Sequence, residues 1–153
     1  MAGAQDSDAA TDALLEAHLS SLPELAWIEL EALVGELEAN REPWAEWRSV
    51  ETGGETRAGE SSLRYLVYSG LAKRAMSELG RQGLRVVFDW PGWYQRSIYE
   101  QHPELIELAS PTDAVRLLVR LVRGERFSEG AWFAALDDGT VALLFRRLLT
   151  HPR

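Results

Sequence analysis

Between Pro23 and Pro43 the chain reads PELAWIELEALVGELEANREP, and Leu30, Leu33, Val34 and Leu37 fall there at the i, i+3, i+4, i+7 spacing of one helix face. Glu29, Glu31, Glu36 and Glu38 flank that stripe. A helix divided in this way holds together only when its apolar side is covered, so the segment commits the chain to packing helix against helix. Pro23 is placed in the first turn, where its missing N–H costs nothing. The section around this helix is too short for a core of its own, so the stripe must close on the rest of the chain. With 153 residues, 46% of them hydrophobic, the chain has the material for one domain, and such a domain buries roughly 70% of its unfolded surface.

The remaining elements are legible from their ends. Residues 1–10 are small, polar and acidic without an apolar period, and read as a disordered tail; ALLEAHLSS then makes a short amphipathic helix. PWAEWRSV puts Trp44 and Trp47 three apart, as on a short helical turn with one apolar side, and residues 51–62, rich in Gly, Ser, Thr and Glu, read as a flexible loop. LRYLVY favours an extended segment, Ser69 caps the helix GLAKRAMSELGRQG, and Gly80 or Gly83 stops it. LRVVF is again extended, and the two such pieces are expected to pair across that helix. Ser110 and Pro111 open SPTDAVRLLVRLVRGERF, which Gly124 ends; Ser128, with Glu129 in the first turn, opens SEGAWFAALDDG; TVALLFRRLL closes the chain with Arg146 and Arg147 at its negative end. The expected fold is mainly α: one compact orthogonal helical domain over residues 11–150, with one short two-stranded β element.

The order VYSGLAKRAMSELGRQGLRVVFDWPGW, then SPTDAVRLLVRLVRGERFSEGAWFAALDDGTVALLFRRLL, resembles the bacterial domain-of-unknown-function family 6508 over about residues 63–149. Members of that family usually carry a proline in the tyrosine-containing extended segment, where this chain has RYLVYS without one. The resemblance supports the fold and implies no activity.

Charge is unevenly spread. The net of −8 divides into fourteen acids against three arginines in residues 1–60, and ten acids against thirteen Lys or Arg in residues 61–153. The halves are complementary, so acidic N-terminal helices should pack near basic C-terminal ones. Lys73 is the one lysine among the basic residues, a usage that suits a GC-rich bacterial genome. No apolar run of about 18 residues is present to span a membrane, and the acidic N-terminus lacks the basic and apolar regions of a secretion signal, which points to the cytoplasm. Zero cysteines excludes disulfides, thiolate metal sites and cysteine nucleophiles.

Two constellations are candidates for binding. In FDWPGWYQRSIYE, Asp89 is placed as a helix cap, and Trp90, Trp93, Tyr94 and Ile98 fall on one side of the helix it would open. Two buried indoles, at about 200 Å² each and about 25 cal/mol per Å², supply on the order of 10 kcal/mol before entropy, so a core plug is the first reading and a stacking platform the second. Arg116, Arg120 and Arg123, four and three apart, line one side of a helix whose other side carries Leu117, Leu118, Leu121 and Val122, and Arg126 follows. Such a stripe suits a phosphate backbone, yet a sequence pI near 4.9 disfavours nucleic acid and favours a carboxylate-paired face.

Enzyme readings are weaker. His18, His102 and His151 make no metal-ligand spacing, and His102 with Glu104, near Glu100 and Glu107, forms an ordinary Glu-rich turn that would otherwise serve proton transfer. GGETRAG lacks the lysine and the context of a phosphate loop. Neither cofactor nor metal is expected. The leading expectation is a non-catalytic protein-interaction or regulatory module with a protein partner or self-association; nucleic-acid binding through the arginine-lined helix comes second and an enzyme third.

Overall fold

The computed structural model describes residues 2–50 and 63–153, and the loop expected at 51–62 lies outside them. Among the described residues the chain is mainly helical with one antiparallel strand pair. In order, α1 spans Ala2–Ser21, α2 Glu24–Ala39, β1 Ala45–Ser49, β2 Arg64–Tyr68, α3 Gly70–Arg81 and α4 Arg96–Gln101. A 3₁₀ run at Pro103–Leu108 leads into α5 at Pro111–Gly124, α6 at Ala131–Asp137 and α7 at Thr140–Leu148. No helix among the described residues is long and apolar enough to cross a membrane.

The centre of the packing is α5, buried continuously from Asp113 to Val119 and again at Val122. It rests on α7, α6, α3 and α1, and α2 covers α7 with Leu30, Leu33, Val34 and Leu37 all buried, as their spacing requires. Trp132 of α6 is fully enclosed and donates its indole N–H to the Ala72 carbonyl at 3.1 Å, tying α6 to α3.

Acidic and basic halves do meet. Arg116 pairs with Asp12, Arg146 with Glu38 and Arg153 with Glu31, while His151 approaches Glu16 at 2.8 Å and Arg74 approaches Glu36 at 2.9 Å. Most of these pairs are solvated on at least one side and contribute little individually. Arg116 and His151 are the enclosed members, each facing a carboxylate that is open to solvent.

Two caps form as read: the Ser69 hydroxyl accepts from the Ala72 N–H and the Ser110 hydroxyl from the Asp113 N–H, each at 3.2 Å. Four expectations are corrected. The first concerns the N-terminus, where residues 2–10 belong to α1 and form no tail. Around Asp8 and Asp12 the helix is fastened by polar contact, with Asp8 accepting from the Tyr94 N–H and Asp12 from Arg116, which a search for apolar periodicity does not register.

The second correction is to the strands. Trp44 and Trp47 do not share a helical turn, because Ala45–Ser49 is extended and pairs with Arg64–Tyr68, Trp47 opposite Leu66, leaving Trp47 exposed. LRYLVY therefore finds its partner upstream. LRVVF stays outside any ladder: Leu84 and Val86 point into the core, and the Val86 carbonyl takes a side-chain N–H of Arg123 at 3.3 Å.

Third, Ser128 does not cap α6. Phe127 and Ser128 donate back to the Gly124 carbonyl at 3.0 and 2.9 Å, so the chain is still coiling there. Helix α6 begins after Gly130, whose φ of 97° suits glycine. The Glu125 carboxylate does the capping, accepting from the N–H groups of Gly130 at 3.1 Å and Trp132 at 2.8 Å while also taking the Tyr68 hydroxyl at 2.7 Å. Burial, followed by that carboxylate, pushes the Tyr68 phenol well above its usual range.

Fourth, Asp89 opens no helix. The chain turns at Trp90–Gly92, with the Trp93 N–H on the Trp90 carbonyl at 3.2 Å, and α4 starts only at Arg96. The Asp89 carboxylate folds over Gly92, where a Cβ would collide with its oxygen.

Candidate functional site

The turn after LRVVF separates the aromatic residues that helical spacing had put on one face. Trp93 is 4% exposed and stacks on Tyr99 at 5.7 Å, with the Phe88 ring edge-on at 6.2 Å. Trp90 packs on Trp93 at 5.4 Å but is only partly covered, and Tyr94 is 66% exposed. Trp93 is thus the plug, and Trp90 leaves a face toward the surface.

The arginine stripe divides as well. Arg116 is 1% exposed, because α1 and the 88–94 turn close over that end of α5. Its guanidinium lies 5.2 Å from the Trp93 ring and 5.8 Å from Phe88, bonded to Asp12, to the Asp8 carbonyl at 3.0 Å and to Asp113 at 3.4 Å. Arg120, one turn on, lies over Trp90 at 4.5 Å and 3.6 Å from Glu100. Arg123 reaches the Val86 carbonyl and Arg126 is exposed.

Among the described residues three cavities border these side chains. One, about 450 Å³, is lined chiefly by Phe88, Trp90, Arg120, Leu121, Arg123 and Phe127. Its wall is apolar and its rim cationic. Phe127, 90% exposed, stands at that rim. This groove gathers Trp90, Arg120 and Arg123 from the sequence candidates; Arg126 lines a second hollow, of about 500 Å³, which shares Arg123 with the first and also takes in Arg85 and Glu125, and Trp93, Tyr94 and Arg116 belong to a third, of about 210 Å³, with Asp8, Asp12 and Asp113.

Behind Arg116 the Tyr99 hydroxyl donates to Asp113 at 2.7 Å. Burial raises the Asp113 carboxyl above its ordinary range, against the opposing pull of Tyr99 and Arg116, and burial with the Asp113 contact lifts the Tyr99 phenol well above its own. His102 and Glu104 meet at 3.2 Å in an exposed turn. Among the described residues no group of three or more His, Asp or Glu is placed to hold a metal. The groove at Trp90 offers stacking, apolar contact and cationic hydrogen-bond donors.

Sequence reasoning missed Phe88 and Phe127 as groove residues and the Asp113–Tyr99 pair. Phe127 did carry a signal: a large ring between Arg126 and Ser128, beyond the last apolar position of α5, has no helix face to join.

A model of the DUF6508 family, described as a family of unknown function, matches residues 22–151. The match takes in α2 and β1 as well as the segment from residue 63 that carried the resemblance, and α1 precedes it. No curated protein and no solved structure matches the chain.

Proposed function

Since the chain belongs to the DUF6508 family, whose function is not known, we propose from the groove itself that it is a non-catalytic protein-interaction module of the cytoplasm, with Phe88, Trp90, Arg120, Arg123, Arg126 and Phe127 as its contact face. The carrying observation is Phe127, 90% exposed beside an apolar hollow of about 450 Å³. Covering a phenyl ring is worth roughly 1.5–3 kcal/mol, and aromatic and arginine side chains are the types that dominate contact energies at interfaces. Arg120 has Glu100 as a counter-charge, whereas among the described residues Arg123 and Arg126 pair with no carboxylate. A partner segment carrying an apolar side chain next to a carboxylate suits this combination.

Nucleic acid is less well supported, because Arg116 is enclosed by Asp8, Asp12 and Asp113 and the stripe loses its first member. The test is quantitative affinity capture with the full chain and with Phe127→Asp and Arg126→Glu. Both substitutions sit at exposed positions and should leave the circular dichroism unchanged. A partner recovered by the native chain and lost by both variants is the expected result. Equal recovery by all three would refute the reading, as would tight salt-sensitive binding to a duplex or single strand that Arg126→Glu abolishes.

A further inference from the structure

From Asp6 to Leu14, α1 lies on the molecule without an apolar anchor. No side chain in that stretch is buried, whereas Leu15, next in the chain, is enclosed. What fastens this stretch is charge: the Asp8 carboxylate accepts from the Tyr94 N–H at 3.0 Å, and Arg116 donates to the Asp12 carboxylate and, at 3.0 Å, to the Asp8 carbonyl. A helix of a few turns is marginal in water when packing does not support it, so this stretch can leave while Leu15 and Leu19 stay in the core.

Beneath it lies a built receptor. The Arg116 guanidinium is aimed by Asp113, itself held by Tyr99, and is flanked by the Trp93 and Phe88 rings. Its Nε is buried and, among the described residues, has no hydrogen-bond partner. Beside it the cavity of about 210 Å³ is left between Asp8, Asp12, Trp93, Tyr94 and Arg116. An unpaired buried donor and a space next to it are features that simple docking of α1 leaves unused.

We infer that Arg116 and the Tyr94 N–H form a carboxylate-binding site whose resident occupant is the first half of α1, and that an acidic helix of a partner protein, presenting two carboxylates one turn apart, displaces it. The resident supplies the template, since Asp8 and Asp12 are spaced i, i+4 on a helix and both face the receptor. Arginine suits this role because its planar fork matches carboxylate oxygens and stays charged when buried. This site is separate from the Phe127 groove, so either can fail without the other.

The test uses the full chain and Asp8→Asn/Asp12→Asn, which weakens the resident. The probe is a blocked peptide of residues 2–14, followed through the Tyr94 amide shift by NMR. A tethered occupant competes at an effective concentration of about millimolar, so the double variant should bind the peptide at least tenfold more tightly than the native chain. The same peptide with Asn at both Asp positions should bind at least tenfold more weakly. Hydrogen exchange should show residues 6–12 losing protection in the double variant while α5 keeps its own. Equal peptide affinity in native and variant chains would overturn the proposal. So would equal binding of the Asn peptide, free glutarate binding as tightly as the helix, or loss of protection throughout α5.

Discussion

Replacing Glu125 with Ala should destabilise this protein far more than replacing Ser128, although Ser128 carries the better capping sequence. Glu125 Oε2 accepts the Trp132 N–H at 2.8 Å, and Oε1 accepts the Gly130 N–H at 3.1 Å and the Tyr68 hydroxyl at 2.7 Å. Those amides belong to the start of α6, whose helical bonds cannot satisfy them. A hydrogen bond to a charged acceptor is worth about 1.5–3 kcal/mol, and Glu125 is only half-buried, so the lower figure applies to each amide and Glu125→Ala should cost about 3 kcal/mol. In a chain of this length that corresponds to roughly 6–12 °C in Tm. The exposed Ser128 side chain caps nothing, so Ser128→Ala should stay within about 0.5 kcal/mol of the native chain. Urea unfolding followed by tryptophan fluorescence measures both, with m-values compared to ensure that the same transition is observed. Equal losses in the two variants, or a Glu125→Ala loss below about 0.5 kcal/mol, would refute the assignment of the cap.

Trp93→Ala should cost about 3–5 kcal/mol by leaving a cavity against Tyr99, with Trp90→Ala costing distinctly less because Trp90 is already partly open; urea midpoints that reverse this order would contradict the division between plug and groove wall. Gly139→Ala should lose about 1–2 kcal/mol, since φ is 84° ahead of α7, and a neutral melting curve would count against that backbone requirement. Asp113 gives a pH signature. Its carboxyl is raised by burial, so the folded chain holds a proton that the unfolded chain has already released. That contribution is complete below the ordinary Asp range near about 3.9 and falls as pH rises through the native titration. The unfolding free energy of the native chain minus that of Asp113→Asn should therefore decline as pH increases from about 4, and a rising difference would contradict it.

Helix positions were readable where one local rule suffices. Leu30, Leu33, Val34 and Leu37 repeat at the helical period and are buried together, and Ser69 and Ser110 cap because a hydroxyl three residues ahead of an orphan N–H needs no help from the rest of the chain. The candidate site was legible in part. Trp90, Arg120 and Arg123 meet in one groove, yet neither their exposure nor the arrival of Phe88 and Phe127 follows from spacing.

What the amino-acid order determines alone is therefore the set of apolar helix faces and the complementary charge of the two halves, both properties of neighbours along the chain. Tertiary structure decides the rest. It pairs RYLVY with the tryptophan segment upstream, gives the α6 cap to Glu125, and turns Arg116 from a surface stripe into a buried partner of an acidic helix. Each of these joins residues more than a helical turn apart in sequence, and a hydrogen bond or ion pair of that kind leaves no period in either segment to read beforehand.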